Sequence, residues 1–196
     1  MGERIMLSAE ADLVPAHDPT GEKADLLDGR IGELSEFHAT FGFDVDGVEA
    51  ATALLPPSWH NRVIPFAPTD ANGVIGWCLH PTDLLASKAV ANRTKDHEFI
   101  DAAIRSRLAE ANAVRVALDT MTNTTHPQQL NQAQRFMQRY RNLDNNTLDM
   151  SIDTSGLRDG APAFDPSLFG FSLTTERAPL TNRHRRPPEP DSGLSL

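Results

Sequence analysis

Glu10 and Asp12, two positions apart, are the first side chains of this chain that could do chemistry together. Successive residues of a β-strand point to opposite faces, so residues two apart share a face. If residues 5–14 form a strand, both carboxylates project into one small volume. Carboxylate oxygens are hard donors of the kind Mg2+ takes, and a cation held there could meet the phosphate oxygens of a nucleotide. The wet face of an ordinary strand gives the same pattern. Asp44 and Asp46 form a second such pair and could add a third carboxylate to the site. Gly47 beside them fits a strand-ending turn equally well.

The second constellation is basic: Lys88, Arg93 and Lys95, followed by Asp96. Cations near the start of a helix could contact phosphate groups there. The plainer alternative is a solvated helix–turn–helix whose ion pairs are each worth well under about 1 kcal/mol. Histidines 17, 38, 60, 80, 97, 126 and 184 show no ligand-like spacing. Ser8 lacks a glycine elbow, and there is no glycine-rich loop of the Walker or Rossmann type. Serine hydrolase, P-loop kinase and dehydrogenase readings therefore lack support.

The elements that must carry these groups can be read from periodicity. Ile5, Leu7, Ala9, Ala11 and Leu13 alternate with Ser8, Glu10 and Asp12, the pattern of a strand with one buried face. Pro15 ends it, Asp18-Pro19-Thr20-Gly21 is a turn, and Thr20 is placed to cap a short helix over 22–28. Residues 41–48 alternate again and predict a second strand. Arg62–Phe66 suggests a third, and the apolar run 74–79 follows a turn at 70–73. Cys78 within that run is expected to be a buried, inert thiol. Pro81-Thr82-Asp83 opens a helix that breaks at Asn92-Arg93. Thr94 is expected to cap the next, with Asp96 and Glu98 in its first turn where the dipole favours anions. Further helices are predicted over 111–121 and about 127–141.

The chain has 196 residues and a formal charge of −9, which argues against generic attraction to nucleic acid or to an anionic membrane. An RNA held in a local basic groove remains compatible with it. Apolar residues make up 39%, and they thin out after residue 150, so the core is expected in the first two thirds. Arg183-His184-Arg185-Arg186 is the only dense basic run and is read as part of a solvated tail. A single cysteine excludes an intramolecular disulfide and a multi-cysteine zinc site. No apolar run is long enough to cross a bilayer, and the first residues do not form a signal peptide, so a cytoplasmic protein is expected.

Taken in order, Glu10-Ala-Asp12, Asp18-Pro-Thr-Gly-Glu-Lys-Ala-Asp25 and Ile31 through Phe43 form a recognisable string. It continues through Asp46-Gly-Val48, Leu55-Pro-Pro-Ser-Trp59, Gly76-Trp-Cys-Leu-His-Pro-Thr-Asp83, Leu84-Leu-Ala-Ser-Lys88 and Arg93-Thr-Lys-Asp-His-Glu-Phe99. Over about residues 5–108 this string resembles a bacterial nucleotidyltransferase-like family of unknown function. That family is distantly similar to the nucleotidyltransferase toxins of abortive-infection and toxin–antitoxin systems.

The resemblance implies Mg2+ at Glu10 and Asp12, phosphate contacts from Lys88, Arg93 and Lys95, and Asp96 orienting a lysine or acting as a base. The implied reaction moves a nucleoside monophosphate from a nucleoside triphosphate to an acceptor hydroxyl on RNA or protein. The superfamily's Gly-Ser phosphate clamp lies before the acidic strand, and only four residues precede Ile5 here. A domain incomplete at its N-terminus is therefore expected. Positioning supplies nearly all the catalysis of phosphoryl transfer, so this chain is expected to be slow or inactive. It is also expected to need a protein partner to cover an exposed sheet edge. The alternative is a non-catalytic interaction protein, a degenerate remnant or one member of a two-protein, toxin–antitoxin-like pair. The expected fold is α/β (α+β): a small mixed sheet over 5–80, a helical hairpin and a disordered tail. The expected divisions are an incomplete nucleotidyltransferase-like domain over 1–110, a helical extension over 111–150 and a mostly disordered tail over 151–196.

Overall fold

The computed structural model describes residues 9–67, 72–143 and 163–169. The described residues form a mixed α+β fold of six α-helices and four short strands. Residues 5–8 of the predicted first strand, most of the tail and the basic run at 183–186 lie outside the described residues.

β1 (Glu10–Leu13) and β2 (Asp44–Gly47) pair in parallel, with Glu10 opposite Asp44 and Asp12 opposite Asp46. α1 (Glu22–Ile31) and α2 (Glu36–Phe41) connect them. β3 (Ile64–Phe66) and β4 (Gly76–Cys78) form a separate antiparallel pair. The single mixed sheet expected over 5–80 is therefore two two-stranded ribbons. Alternation along a strand reports which residues share a face; it does not report which strands pair.

Most of the helix starts have a local physical cause. Gly21 stands before α1 in a left-handed conformation and offers no side chain. The Asp18 carboxylate instead accepts the Lys23 and Ala24 N–H groups at 3.1 and 2.9 Å, replacing the expected Thr20 cap. Ser35 caps α2, accepting the His38 N–H. α3 (Pro81–Ala91) and α6 (Pro127–Met137) begin alike: proline fills the first turn, and the imidazole of His80 or His126 accepts the N–H two residues on. α3 stops at Asn92, whose φ is 57°. α4 (Thr94–Arg105) is capped one residue earlier than expected, at Arg93, since Thr94 is already helical. The capping carboxylate belongs to Asp96, which takes the Arg93 N–H at 3.3 Å.

The core is helical. Leu85, Ile100, Val114, Leu118, Met121 and Met137 are all fully buried and lie on α3, α4, α5 (Ala111–Asp119), the short 3-10 turn after it, and α6. Burying one such side chain is worth roughly 1.5–3 kcal/mol. The expected buried face of β1 is open: Ala11 is exposed, and Leu13 keeps 46% of its surface. Cys78 is likewise exposed, not buried, although partial desolvation still pushes its thiol pKa up. The segment 163–169 docks on the small antiparallel ribbon. Phe164 packs against both Trp59 and Trp77, and the Leu168 carbonyl accepts the His17 N–H at 2.6 Å. Among the described residues, no helix is long and apolar enough to cross a membrane.

Candidate functional site

The parallel register of β1 and β2 places Asp12 directly beside Asp46 and leaves Glu10 one step away on the same face. One carboxylate oxygen from each of Glu10, Asp12 and Asp46 falls within 4.8 Å of the others. Asp46, the third carboxylate the sequence allowed, joins this cluster. Asp44 is buried separately, with an oxygen 3.9 Å from His38 Nδ1. That nitrogen also accepts the Leu34 N–H at 3.1 Å.

The basic constellation meets the cluster from the other side. Lys95, in the first turn of α4, donates to both oxygens of Glu10, at 3.1 and 2.7 Å. Arg93 grips Asp96 with two N–H groups, at 2.7 and 3.0 Å, and Lys88 lies 3.5 Å from the same carboxylate. Lys88 also sits 5.0 Å above the Phe99 ring. Asp96 is fully buried between these cations. Glu10, Asp12, Lys88, Arg93, Lys95 and Asp96 thus lie near one another where β1 meets the break between α3 and α4.

The electrostatics divide the carboxylates. Lys95's hydrogen bond is the main reason the Glu10 pKa lies below its usual value. The same contact, seen from Lys95, holds that ammonium's pKa above the ordinary range. Burial pushes Asp96 upward, yet the Arg93 hydrogen bonds and the charges of Arg93 and Lys88 outweigh it, and the net shift is downward. Asp46 goes the other way. Desolvation raises its pKa first, and the neighbouring charges of Asp28, Glu10, Asp44 and Asp12 add to the rise. Crowded like charges cost free energy that a bound divalent cation would relieve, and an all-oxygen carboxylate set fits Mg2+, Mn2+ or Ca2+.

Sequence reasoning missed Asp28. Its Oδ1 accepts the Gly47 N–H at 2.6 Å, next to Asp46 in the chain. Nothing in the spacing of Asp28 announces this, because the contact bridges 19 residues between a helix and a strand.

The sequence model of one family, described as a nucleotidyltransferase of unknown function (DUF6036), matches residues 25–148, more than half of the chain. The matched stretch includes Asp46, Lys88, Arg93, Lys95 and Asp96, begins after β1, and runs through α5 and α6. The string of residues described above carries the resemblance over about 5–108, so the two overlap in the part that holds the α3–α4 break. No curated protein and no solved structure matches the chain.

Proposed function

The chain belongs to that nucleotidyltransferase family, and on this premise we propose that Glu10, Asp12 and Asp46 hold a divalent cation for nucleotidyl transfer. The observation that carries the reading is the meeting of three carboxylates within 4.8 Å with a lysine 2.7 Å from one of them. Mg2+ is the cation favoured by the hard oxygen set. Its chemistry when bound is to neutralise charge on the phosphates of a nucleoside triphosphate.

The protein's own side chains have distinct tasks in this scheme. Lys95 is exposed enough to leave Glu10 for a phosphate when nucleotide arrives. Arg93 and Lys88 flank the same opening and add positive potential there. Asp96 is buried and held on both sides, which suits orienting Arg93 and Lys88 better than reaching a substrate as a base. The acceptor hydroxyl bonds to the α-phosphorus while the bond to pyrophosphate breaks. The hydroxyl proton passes to a carboxylate oxygen of the cluster that the cation leaves free. RNA and protein hydroxyls are the two acceptor classes this chemistry serves.

One observation favours the competing, non-catalytic reading. Lys88 and Arg93 both pair with Asp96, and Lys95 with Glu10, so part of the positive charge at this opening is already neutralised. A single experiment separates the two readings. The full chain is incubated with Mg2+ and nucleoside triphosphates labelled at the α-phosphate, with RNA and protein acceptors, beside the Asp12→Asn and Asp46→Asn variants. Label transfer that either substitution abolishes supports the enzyme. A chain that binds neither Mn2+ nor nucleotide in calorimetry sinks it.

A further inference from the structure

We propose that Asp28, on α1, is a positioning residue that fixes the Asp46 carboxylate in the cation cluster by holding the backbone of Gly47. The inference deepens the cation-binding reading above and rests on it. In the parallel pair, alternate N–H groups of β2 point to β1. Asp44 N–H bonds to Ala9 and Val48 N–H to Leu13, so the Gly47 N–H faces away from β1. A donor on that free edge needs a partner, and the Asp28 carboxylate supplies it at 2.6 Å, short enough for a charge-assisted bond.

A second contact from the same helix bears on the same residue. A Cβ built on Gly47 would lie 2.6 Å from Ala24 Cα and closer still to the Ala24 carbonyl oxygen. The α1 backbone is therefore seated directly on Gly47, and only glycine allows that approach. Ala24 and Asp28 are four residues apart, one turn of α1. One helix face thus grips Gly47 twice, through backbone contact at Ala24 and through the hydrogen bond at Asp28. Asp46 precedes Gly47 directly, so its side-chain direction is set by the peptide that this grip fixes. Groups that hold a ligand-bearing residue in place commonly matter to metal affinity by about 10- to 100-fold when removed.

The test compares Asp28→Ala with Asp28→Asn in the full chain. An asparagine carbonyl can still accept the Gly47 N–H, so the conservative variant keeps the position and loses the charge. Mn2+ affinity is measured by calorimetry, and amide hydrogen exchange at Gly47 by NMR in the absence of metal. Asp28→Ala is expected to weaken Mn2+ binding by about tenfold or more and to speed Gly47 exchange. Asp28→Asn is expected to stay within about threefold of the parent and to keep the amide protected. Equal loss of affinity in both variants would show that Asp28 acts through charge alone and would overturn the inference, as would unchanged exchange in Asp28→Ala. If the parent chain binds no Mn2+, the cation-binding reading fails by itself. The exchange data then decide whether Asp28 holds Gly47.

Discussion

Two acidic places in this molecule, some of whose members lie close together, are built on opposite principles. Asp96 sits at the end of a packed helical half, fully buried, with Arg93 and Lys88 closed around it. Asp46 sits on a two-stranded ribbon whose β1 side is open to solvent, among carboxylates of its own sign, while Lys95 is bonded to Glu10. The first arrangement lowers a pKa and contributes stability. The second raises one and stores repulsion. The contrast teaches where each property resides: α3 to α6 hold most of the buried core, while β1 and β2 carry crowded carboxylates. Binding sites come from the less stable parts of a fold, because unmet interactions are what a ligand completes.

The largest expected effect tests the helical half. Leu118→Ala removes a fully buried side chain from the centre of the core and should destabilise by about 2–5 kcal/mol. The matching change in the ribbon, Leu13→Ala, acts on a residue that keeps 46% of its surface and should cost less than about 1 kcal/mol. Urea unfolding of both variants checks the pair. Similar losses would mean the ribbon is as much a part of the core as the helices, and the contrast would collapse.

Next in size is Asp96 itself. Removing one partner from a buried ion pair costs about 3–5 kcal/mol, but Arg93 is half exposed and can be rehydrated, so Asp96→Ala should cost about 1–3 kcal/mol. The pH dependence sharpens this. A carboxyl whose folded pKa is depressed binds its proton more weakly when folded. Its stabilisation is therefore complete above the unfolded value, about 3.9, and disappears as pH falls through the lower folded value. The melting-temperature gap between the parent and Asp96→Asn should be flat from about pH 5 to 8 and shrink below about pH 4. A gap that widens on acidification would reverse the assigned sign.

Much of the helical half was legible in the sequence, and little of the ribbon half was. Pro81 and Pro127 mark helix starts, Asn92 marks a stop, and the apolar spacing of Ile100 and Ile104 is local information that survives folding unchanged. Helix α2 escaped because Glu36–Phe41 is too short for a periodic signal, and the alternation Phe41, Phe43, Val45 ran across its end. The open face of β1 escaped because alternation shows that residues share a side and not that anything covers it. The same limit hid the split into two ribbons. In the site, Glu10, Asp12, Lys88, Arg93, Lys95 and Asp96 were all visible as residue types at suggestive spacings. Their convergence was not, since it depends on how β1 meets the α3–α4 break, 85 residues away along the chain for the Lys95–Glu10 bond. Thr94 drew attention as a cap because its type is right, yet Asp96 provides the carboxylate because the backbone turns one residue earlier.

A smaller effect of opposite sign is expected at Asp46. Its raised pKa means that the folded chain binds the proton more tightly, so stability from this group is fully present below the unfolded value and is lost as pH rises through the folded one. At neutral pH the charged side chain is a burden. Asp46→Asn should therefore stabilise the metal-free protein by about 0.2–1 kcal/mol, the range for like charges facing across strands. It should also abolish Mn2+ binding. The parent should approach the variant's melting temperature from below as pH falls, whereas in the Asp96 comparison it approaches from above. Destabilisation by Asp46→Asn at pH 7 would show that the cluster is not repulsive.

The smallest effect on stability is expected at Lys95, and it is the most informative about function. The Lys95–Glu10 bond joins the helical half to the ribbon, but both side chains are substantially exposed, and exposed ion pairs contribute about 0–1 kcal/mol. Lys95→Met should therefore shift the unfolding midpoint little, and raising salt should weaken the parent's small advantage further. The Glu10 pKa, held down mainly by Lys95, should rise toward its ordinary value in the variant, which NMR titration can follow. Freed of Lys95, Glu10 is more available to a cation, so Mn2+ affinity should hold or improve while nucleotide affinity falls. That split is what separates a phosphate-binding lysine from a merely structural one. Loss of Mn2+ and nucleotide binding together would assign Lys95 to building the carboxylate cluster, and the ribbon would then owe its geometry to the helices after all.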